Sequence, residues 1–598
     1  MRVRLLILGV MLAIALTMAT QTAIGTAGGA PRDFGDRLEL SMLGWLAPPA
    51  GAVPPLQTVS GTWSWVVAES NTQAAEPAAI TVATNSDKVD ADTSSLEALR
   101  SNPGPDGISL REAIEVTNND PGSYAIAFSA ALSGTTITLG EYLPPLTGGG
   151  VSIEGDIDGD GTPDVTLVTT LQEQWSRAIQ IASSGNRLHG LTLKGFAVGV
   201  WIEPITGEED ELPTHQTLAD NVISGLAILG RSMVSGIMIH SPASPDCGYG
   251  KPDPCRTYIT FANTTITGNT IEGSIGFQIS NSGDRIEGAT VTDNTIRVGG
   301  SGQNSGIVFE QLNNAGDDGT PAPISDVLIA RNSIEGSGRG YVLGIGVAAG
   351  VARAQGNITE AVRVLDNRIH LVRQGSGPGG VGISVVAGTE ASPGIWPDVH
   401  PLRYPDGNVL RNVEVAGNRL SGDLVEGVWV SAGSASAAGS RNRVLDVQIE
   451  RNVISSTMVG AGVLLQVGGT EGPAPNLHRW ATGNQITGVE IGANRISTGR
   501  TRSGLSLDFA GGIVLVGGSA FSRDGVIRDV RIAKNEIKVK VAAVHGGIKL
   551  IGGIGPTARR NRVTRVRLVA NHVSGTRPAV SVRSNIGATT NYASLGGS

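Results

Sequence analysis

One phrase, Val-x-Val-x-x-Asn-x-Ile, recurs down the chain and leaves few folds open to it. It reads Val327, Ile329, Asn332, Ile334; Val362, Val364, Asn367, Ile369; Val413, Val415, Asn418, Leu420; and Val447, Ile449, Asn452, Ile454. It continues with Val489, Ile491, Asn494, Ile496; Val530, Ile532, Asn535, Ile537; and Val566, Leu568, Asn571, Val573. Weaker copies end at Asn221, Asn269 and Asn294. Between 9 and 18 residues after each strong asparagine a second apolar phrase opens on glycine, at Gly344, Gly382, Gly427, Gly462, Gly512 and Gly547. Each unit thus reads as two short strands. Asn269 and Asn294 stand 25 residues apart but Asn367 and Asn418 stand 51 apart, so the strand chemistry repeats while the excess length goes into loops.

A short strand with period-2 apolar positions cannot bury its inner face alone. A chain wound in coils solves this by laying each strand about 4.8 Å from the same strand of the next coil. Asparagine tolerates left-handed backbone angles at a tight corner, and stacked Asn side chains can bond along the column. The expectation is an all-β parallel β-helix of about eleven coils, roughly 50 Å of rod at that spacing. Composition agrees. Glycine is 84 of 598 residues with no Gly-X-Y period, which excludes collagen, and an apolar share of 40% against 16% charged residues excludes a disordered chain. Only 8 Trp, 7 Tyr and 8 Phe are present, so the interior must be aliphatic.

Residues 1–27 carry Arg2 and Arg4, an apolar run from Leu5 to Met18 and then small polar residues, the anatomy of a signal peptide. The expected protein is secreted or on the cell surface, with no transmembrane span in the mature chain. Residues 28–79, holding Trp45, Trp63 and Trp65, read as an extended lead-in. Residues 80–168 read as an N-terminal cap and first coils, 169–583 as the β-helix and 584–598 as a tail. Within the cap, Ser109 and Glu112 have capping-box spacing, and Leu110, Ala113 and Ile114 make an apolar stripe. A short helix there would lid the open end of the first coil, whose unpaired edges otherwise invite aggregation.

On these residues the chain resembles right-handed parallel β-helix proteins of the pectin-lyase-like superfamily, over about residues 80–583. The stretch from Ile80-Thr81-Val82 through Ser109-Leu110-Arg111-Glu112-Ala113-Ile114 to Thr136–Leu139 and Val151–Ile153 also resembles the N-terminal module of many secreted bacterial β-helix proteins. Ile108 stands where that module usually has a cysteine, so the match is to its diverged form. The resemblance implies a carbohydrate partner, either bound by a scaffold or adhesin-like protein or cleaved by a lyase, epimerase or hydrolase.

Several constellations could carry chemistry. Asp156, Asp158, Asp160 and Asp164, with Gly161 at the sixth place, match the first nine places of a calcium loop; Leu167 at the twelfth excludes an ordinary EF-hand. Bound calcium would be structural, against the alternative of a solvated turn. Cys247 and Cys255 would close one small loop in an oxidising compartment, the alternatives being two thiols or a metal pair. Trp201 and Trp429 fall at the outward position of the glycine-led strand, where other copies carry Met238, Val308, Leu464 and Val514. Such a column is either roofed by loops or a groove with stacking platforms for sugar rings. Net charge is −8, unevenly spread: residues 401–598 hold 24 basic and 12 acidic side chains. Arg559, Arg560, Arg562, Arg565 and Arg567 suit an anionic glycan or an ordinary solvated face. Aromatic and basic residues do not interleave as nucleic-acid binding requires. The polygalacturonase phrases are absent as a set: Asp317-Asp318 stands alone in a loop, and His545 lacks its companions. A non-catalytic scaffold is therefore the leading expectation, a carbohydrate-active enzyme the competing one.

Overall fold

Strand pairing in register is what the repeat demands, and every strand pair in the structure is parallel. The computed structural model describes residues 76–595 except 172, 174, 206–215, 231–234, 241–258, 282–284, 301, 303, 312–322, 352–354, 376, 378, 390–404, 435–438, 469–479, 500, 503–507, 520–521, 542–545, 556 and 585–591. The expected signal peptide, most of the lead-in, Cys247, Cys255, Asp317, Asp318 and His545 lie outside the described residues. Three sheets carry the coils, here sheets 1, 2 and 3, with 18, 13 and 12 strands. Both of the last two numbers exceed the expected eleven coils. The earliest rungs, such as Thr136–Leu139 on Val165–Thr169, lie inside the cap module and carry no asparagine phrase to mark them.

Each coil holds three strands, not two. The repeat phrase straddles a corner: Val362 and Val364 lie in sheet 1 and Ile369 in sheet 2, with the glycine phrase forming sheet 3. Inward side chains stack like on like. In sheet 1, Val327, Val362, Val413, Val447, Val489, Val530 and Val566 sit in one row, each at most 2% exposed. Ile345, Ile383, Val428, Val463, Ile513 and Ile548 do the same in sheet 3. Burying each is worth about 1.5–3 kcal/mol, and the repeat supplies the same gain at every rung.

The asparagines form the expected row. From Asn269 through Asn294, Asn332, Asn367, Asn418, Asn452, Asn494 and Asn535 to Asn571, each Nδ2 donates to the next Oδ1 at 2.9–3.0 Å. Two points differ from expectation. The left-handed residue is the one before the asparagine, as at Asp293, Arg331, Asp366, Arg451 and Lys534 (φ +55° to +59°). That residue turns the chain, which frees the asparagine side chain to point inward and bond along the column. Asn221 is not in this row; it accepts from Asn186 at a different bend, ahead of Val222–Ser224. A second row that the phrase did not reveal, Asn408, Asn442 and Asn484, stands where the chain enters sheet 1.

The second phrase opens on glycine because of a close approach. A Cβ on Gly344 would lie 2.4 Å from the Gly382 carbonyl oxygen and 2.7 Å from the Ile369 side chain. Gly306, Gly382, Gly427 and Gly462 meet the next rung's glycine oxygen in the same way.

Near the N-terminal end of the described residues, helices α1 (Leu96–Ser101) and α2 (Leu110–Asn119) bury Leu99, Leu110, Ala113 and Ile114 in the core. The Ser109 and Glu112 capping box is present, and the fully buried Glu112 carboxylate also accepts from the Asp90 and Ala91 N–H groups at 2.7 Å. At the other end, residues expected as a tail include a strand, Tyr592–Leu595, that pairs with Arg562–Val569 in sheet 1. Among the described residues no helix is long and apolar enough to cross a membrane.

Candidate functional site

Alternation along sheet 3 sends every second side chain outward, and register stacks these into a column. Read up the coils it is Gln180, Trp201, Met238, Gln278, Val308, Gly346, Ser384, Trp429, Leu464, Val514 and Lys549. Trp201 and Trp429 thus share one outer face, as their spacing implied.

Polar and aromatic groups from several coils gather around Trp201. The indole packs on Val198 and Met238, is 8% exposed, and its Nε1 has no hydrogen-bond partner. Trp175, half exposed, meets it edge-on with ring centres 6.1 Å apart. The His240 ring meets it at 5.6 Å, while His240 Nδ1 lies 2.7 Å from Glu203 Oε1. Arg177 lies over both the Tyr142 ring, at 4.8 Å, and the Trp201 ring, at 5.7 Å. Tyr142 in turn donates its hydroxyl to Glu173. An exposed indole beside paired charges offers sugar rings an apolar face to stack on and polar groups for their hydroxyls.

Trp429 has different company. It packs against Leu464, Phe509, Val514 and Ile554, and its Nε1 is also without a partner. Three residues earlier on the same strand, burial pushes the Glu426 carboxyl up to about 8, and the Glu426 charge together with burial raises the Tyr341 phenol. Burial likewise pushes Glu310 up to about 7. Farther along, burial pulls Lys549 down to about 8, opposed by Asp508 and reinforced by Arg583.

Sequence reading missed Glu203, His240 and Glu310, although each stands two residues beyond a member of the outward column and so was reachable by alternation. Tyr142, Glu173 and Trp175 were not, because they lie ahead of the first strand of sheet 3 with no periodicity to place them.

The aspartate loop brings together ligand oxygens of Asp156, Asp158 and Asp164, all within 4.8 Å of one another. Asp160 stands apart from that group; its carboxylate accepts from the Thr162 N–H. The loop is pre-shaped by backbone donors: Asp156 accepts from Gly159 and Gly161, Asp164 from Ile157. The Ser133 hydroxyl and the Ile157 N–H hold the Asp164 carboxyl below its ordinary value. Three hard carboxylate oxygen donors at this separation fit a calcium ion.

The arginine group does not form one patch. Arg560 pairs with Asp524 at 2.6 Å, Arg565 with Asp529 at 2.5 Å, and Arg559 lies over Trp480. Arg567 stands in the sheet 1 outward row with Arg363, Glu414, Gln448, Glu490 and Arg531, which mixes both signs. Arg562 pairs in register with Val526 and Tyr592. Exposed pairs like these contribute about 0–1 kcal/mol each.

No family model and no curated protein matches the sequence. Among solved structures, the tailspike protein of E. coli bacteriophage HK620 in complex with a pentasaccharide is 11% identical, covering 81% of this chain and 76% of its own, with a TM-score of 0.38. The A-modules of the mannuronan C-5 epimerases AlgE4 and AlgE6 of Azotobacter vinelandii are each 13% identical. They cover 82% and 80% of this chain and 95% and 94% of their own, with TM-scores of 0.30 and 0.25. At these values the likenesses carry no argument by themselves, and it is the strand register of this chain, parallel in every pair, that makes it a parallel β-helix.

Proposed function

We propose that the protein is a secreted or cell-surface β-helix that binds an envelope or extracellular polysaccharide on the outer face of sheet 3. The observation that carries this is the Trp201 cluster, where four rings, Tyr142, Trp175, Trp201 and His240, and three charged groups, Arg177, Glu173 and Glu203, converge from separate coils. The leader-like residues 1–27 support export. Calcium held by Asp156, Asp158 and Asp164 would pin the first coils and take no part in binding.

An enzyme reading has one observation behind it: a Glu310 carboxyl that keeps its proton up to about pH 7 suits a general acid. Among the described residues Glu426, which burial also raises, to about 8, is three rungs away, about 14 Å at the rung spacing. Hydrolases working with two carboxyls hold them about 5–9.5 Å apart, so binding is the better-supported function.

Titrating the purified protein into acidic and neutral polysaccharides by calorimetry, while following new reducing ends and absorbance near 235 nm, tests both readings. Saturable binding without turnover, weakened by Trp175→Ala, is the expected result. Turnover abolished by Glu310→Gln would replace the proposal with the enzyme reading. Absence of any glycan binding would remove both.

A further inference from the structure

The strands of sheet 1 share one irregularity. A residue in the left-handed region is left out of the pairing in each, and register sets Asp326, Ala361, Asn412 and Asp446 (φ +54° to +55°) on four consecutive rungs. Glycine holds the same place on the rung before, Gly288, and on the rung after, Gly488. Side chains at this bend therefore run from Asp326 to Asp446, about 14 Å along the rod at the rung spacing. Between them and the neighbouring outward row lies an open groove of about 390 Å³, lined by Asp326, Arg363, Asn412, Glu414, Asp446 and Gln448. All six are at least partly exposed, so the groove is reached from solvent.

Polar groups around this groove are paired with one another, and those inside it are not. One residue before the bend, Glu360 meets Arg411 at 2.5 Å. Farther up the rod Glu490 pairs with Arg531 at 3.4 Å and Asp529 with Arg565 at 2.5 Å. On the rung before Asp326, Arg285 pairs with Glu287 at 3.3 Å. Among the described residues the side chains of Asp326, Arg363, Asn412, Asp446 and Gln448 have neither a hydrogen bond nor an ion pair, and Glu414 meets Arg451 at 3.9 Å. Left-handed backbone favours Asp and Asn, which accounts for the residue types at 326, 412 and 446. It does not account for unpaired Arg363 and Gln448 on the facing row, where the backbone is ordinary strand.

We infer that this groove is a second glycan site, taking an amino-sugar chain whose ammonium groups meet Asp326, Glu414 and Asp446 while its hydroxyls bond Arg363, Asn412 and Gln448. This rests on the carbohydrate reading above and adds a separate site and a class of ligand. Three carboxylates against one guanidinium make the lining negative, which favours a cationic saccharide over a uronate. Hydrogen bonds from ammonium to carboxylate are about twice as strong as those between neutral groups, so an amine gains more here than a hydroxyl or an acetamide. No aromatic ring lines the groove, which separates it from the Trp201 cluster, where rings supply the contact. Each exposed charge contact is weak by itself. Affinity must come from several rungs engaged at once, and salt must weaken it.

The test titrates the full chain by calorimetry with a glucosamine tetrasaccharide, its fully N-acetylated counterpart, oligogalacturonate and spermine, at pH 5.5 and at low and high NaCl. The variant is Asp326→Asn with Asp446→Asn; asparagine accepts the left-handed angle, as Asn412 does, and neither aspartate has a partner to lose. The glucosamine tetrasaccharide should bind the native protein at least about tenfold tighter than the acetylated form or oligogalacturonate. High salt and the double variant should each weaken it about tenfold. An acetylated form or a spermine that binds as tightly as the amino sugar overturns the inference. So does amino-sugar binding that the double variant leaves unaltered, and in both cases the carbohydrate reading, tested by Trp175→Ala, still stands. Failure of every saccharide to bind overturns the inference together with that reading.

Discussion

Replacing Asn418 by alanine should open the solenoid locally, and the size of the effect follows from the bonds it breaks. The Asn418 Oδ1 accepts both the Asn367 backbone N–H at 2.9 Å and the Asn367 Nδ2 at 3.0 Å, while its own Nδ2 donates to Asn452 Oδ1, Val364 O and Ala416 O. Asn452 Oδ1 keeps the Asn418 backbone donor after the change. The Asn367 backbone N–H loses its acceptor and the Asn367 Nδ2 loses one of its two, keeping Ile329 O, so two buried N–H groups are left unmade. At about 1–3 kcal/mol for each orphaned buried group, the change should cost about 2–6 kcal/mol. A solenoid contacts only its neighbours, so this loss should stay near the affected rungs. Hydrogen exchange followed by mass spectrometry would show amide protection across residues 362–371 and 413–422 falling by roughly thirtyfold or more, since each 1.4 kcal/mol is a factor of ten. Peptides in the first coils, such as 151–168, should be unaffected. Unchanged protection at 362–371, or an equal loss along the whole chain, would refute the claim that the asparagine row holds successive rungs together.

Glu310 makes the protein less stable as pH rises: its carboxyl titrates at about 7 when folded against 4.5 when exposed, so the folded state keeps a proton that the unfolded chain gives up. Stability should fall by up to about 3 kcal/mol between pH 4.5 and 7, and urea titrations of Glu310→Gln should lack that part of the slope. Gly344→Ala should cost several kcal/mol, on the order of a severe overpacking change, because its Cβ would strike the Gly382 oxygen and the Ile369 side chain; a thermal midpoint equal to the native one would contradict the close approach. Calcium should raise the thermal midpoint and a chelator should lower it, an effect absent in Asp156→Asn; identical midpoints with and without the ion would remove the aspartate loop as a metal site. Glu112→Ala should unfold the cap first, since three backbone N–H groups, those of Asp90, Ala91 and Ser109, lose their acceptor; limited proteolysis near residues 88–110 reads this directly.

Much of the molecule was legible in the chain. The Val-x-Val-x-x-Asn-x-Ile phrase determined that successive windings stack in register, because period-2 valines and isoleucines have no other way to leave water and a buried asparagine needs a twin on the next rung. The same periodicity placed Trp201 and Trp429 on one outer face, and capping-box spacing placed the start of helix α2. Local geometry was beyond it. That the left-handed turn belongs to Asp366 and not Asn367, and that each coil has three strands, depends on where the chain bends, which a linear pattern does not record. The site was decided by the tertiary structure alone. Tyr142, Trp175, Trp201 and His240 are separated by loops of unequal length, and only the winding of the coil, which brings residues 98 positions apart within one cluster, turns them into neighbours. The acids at 310 and 426 read as ordinary surface residues until their folded surroundings desolvate them, and desolvation is a property of the folded object, not of the letters.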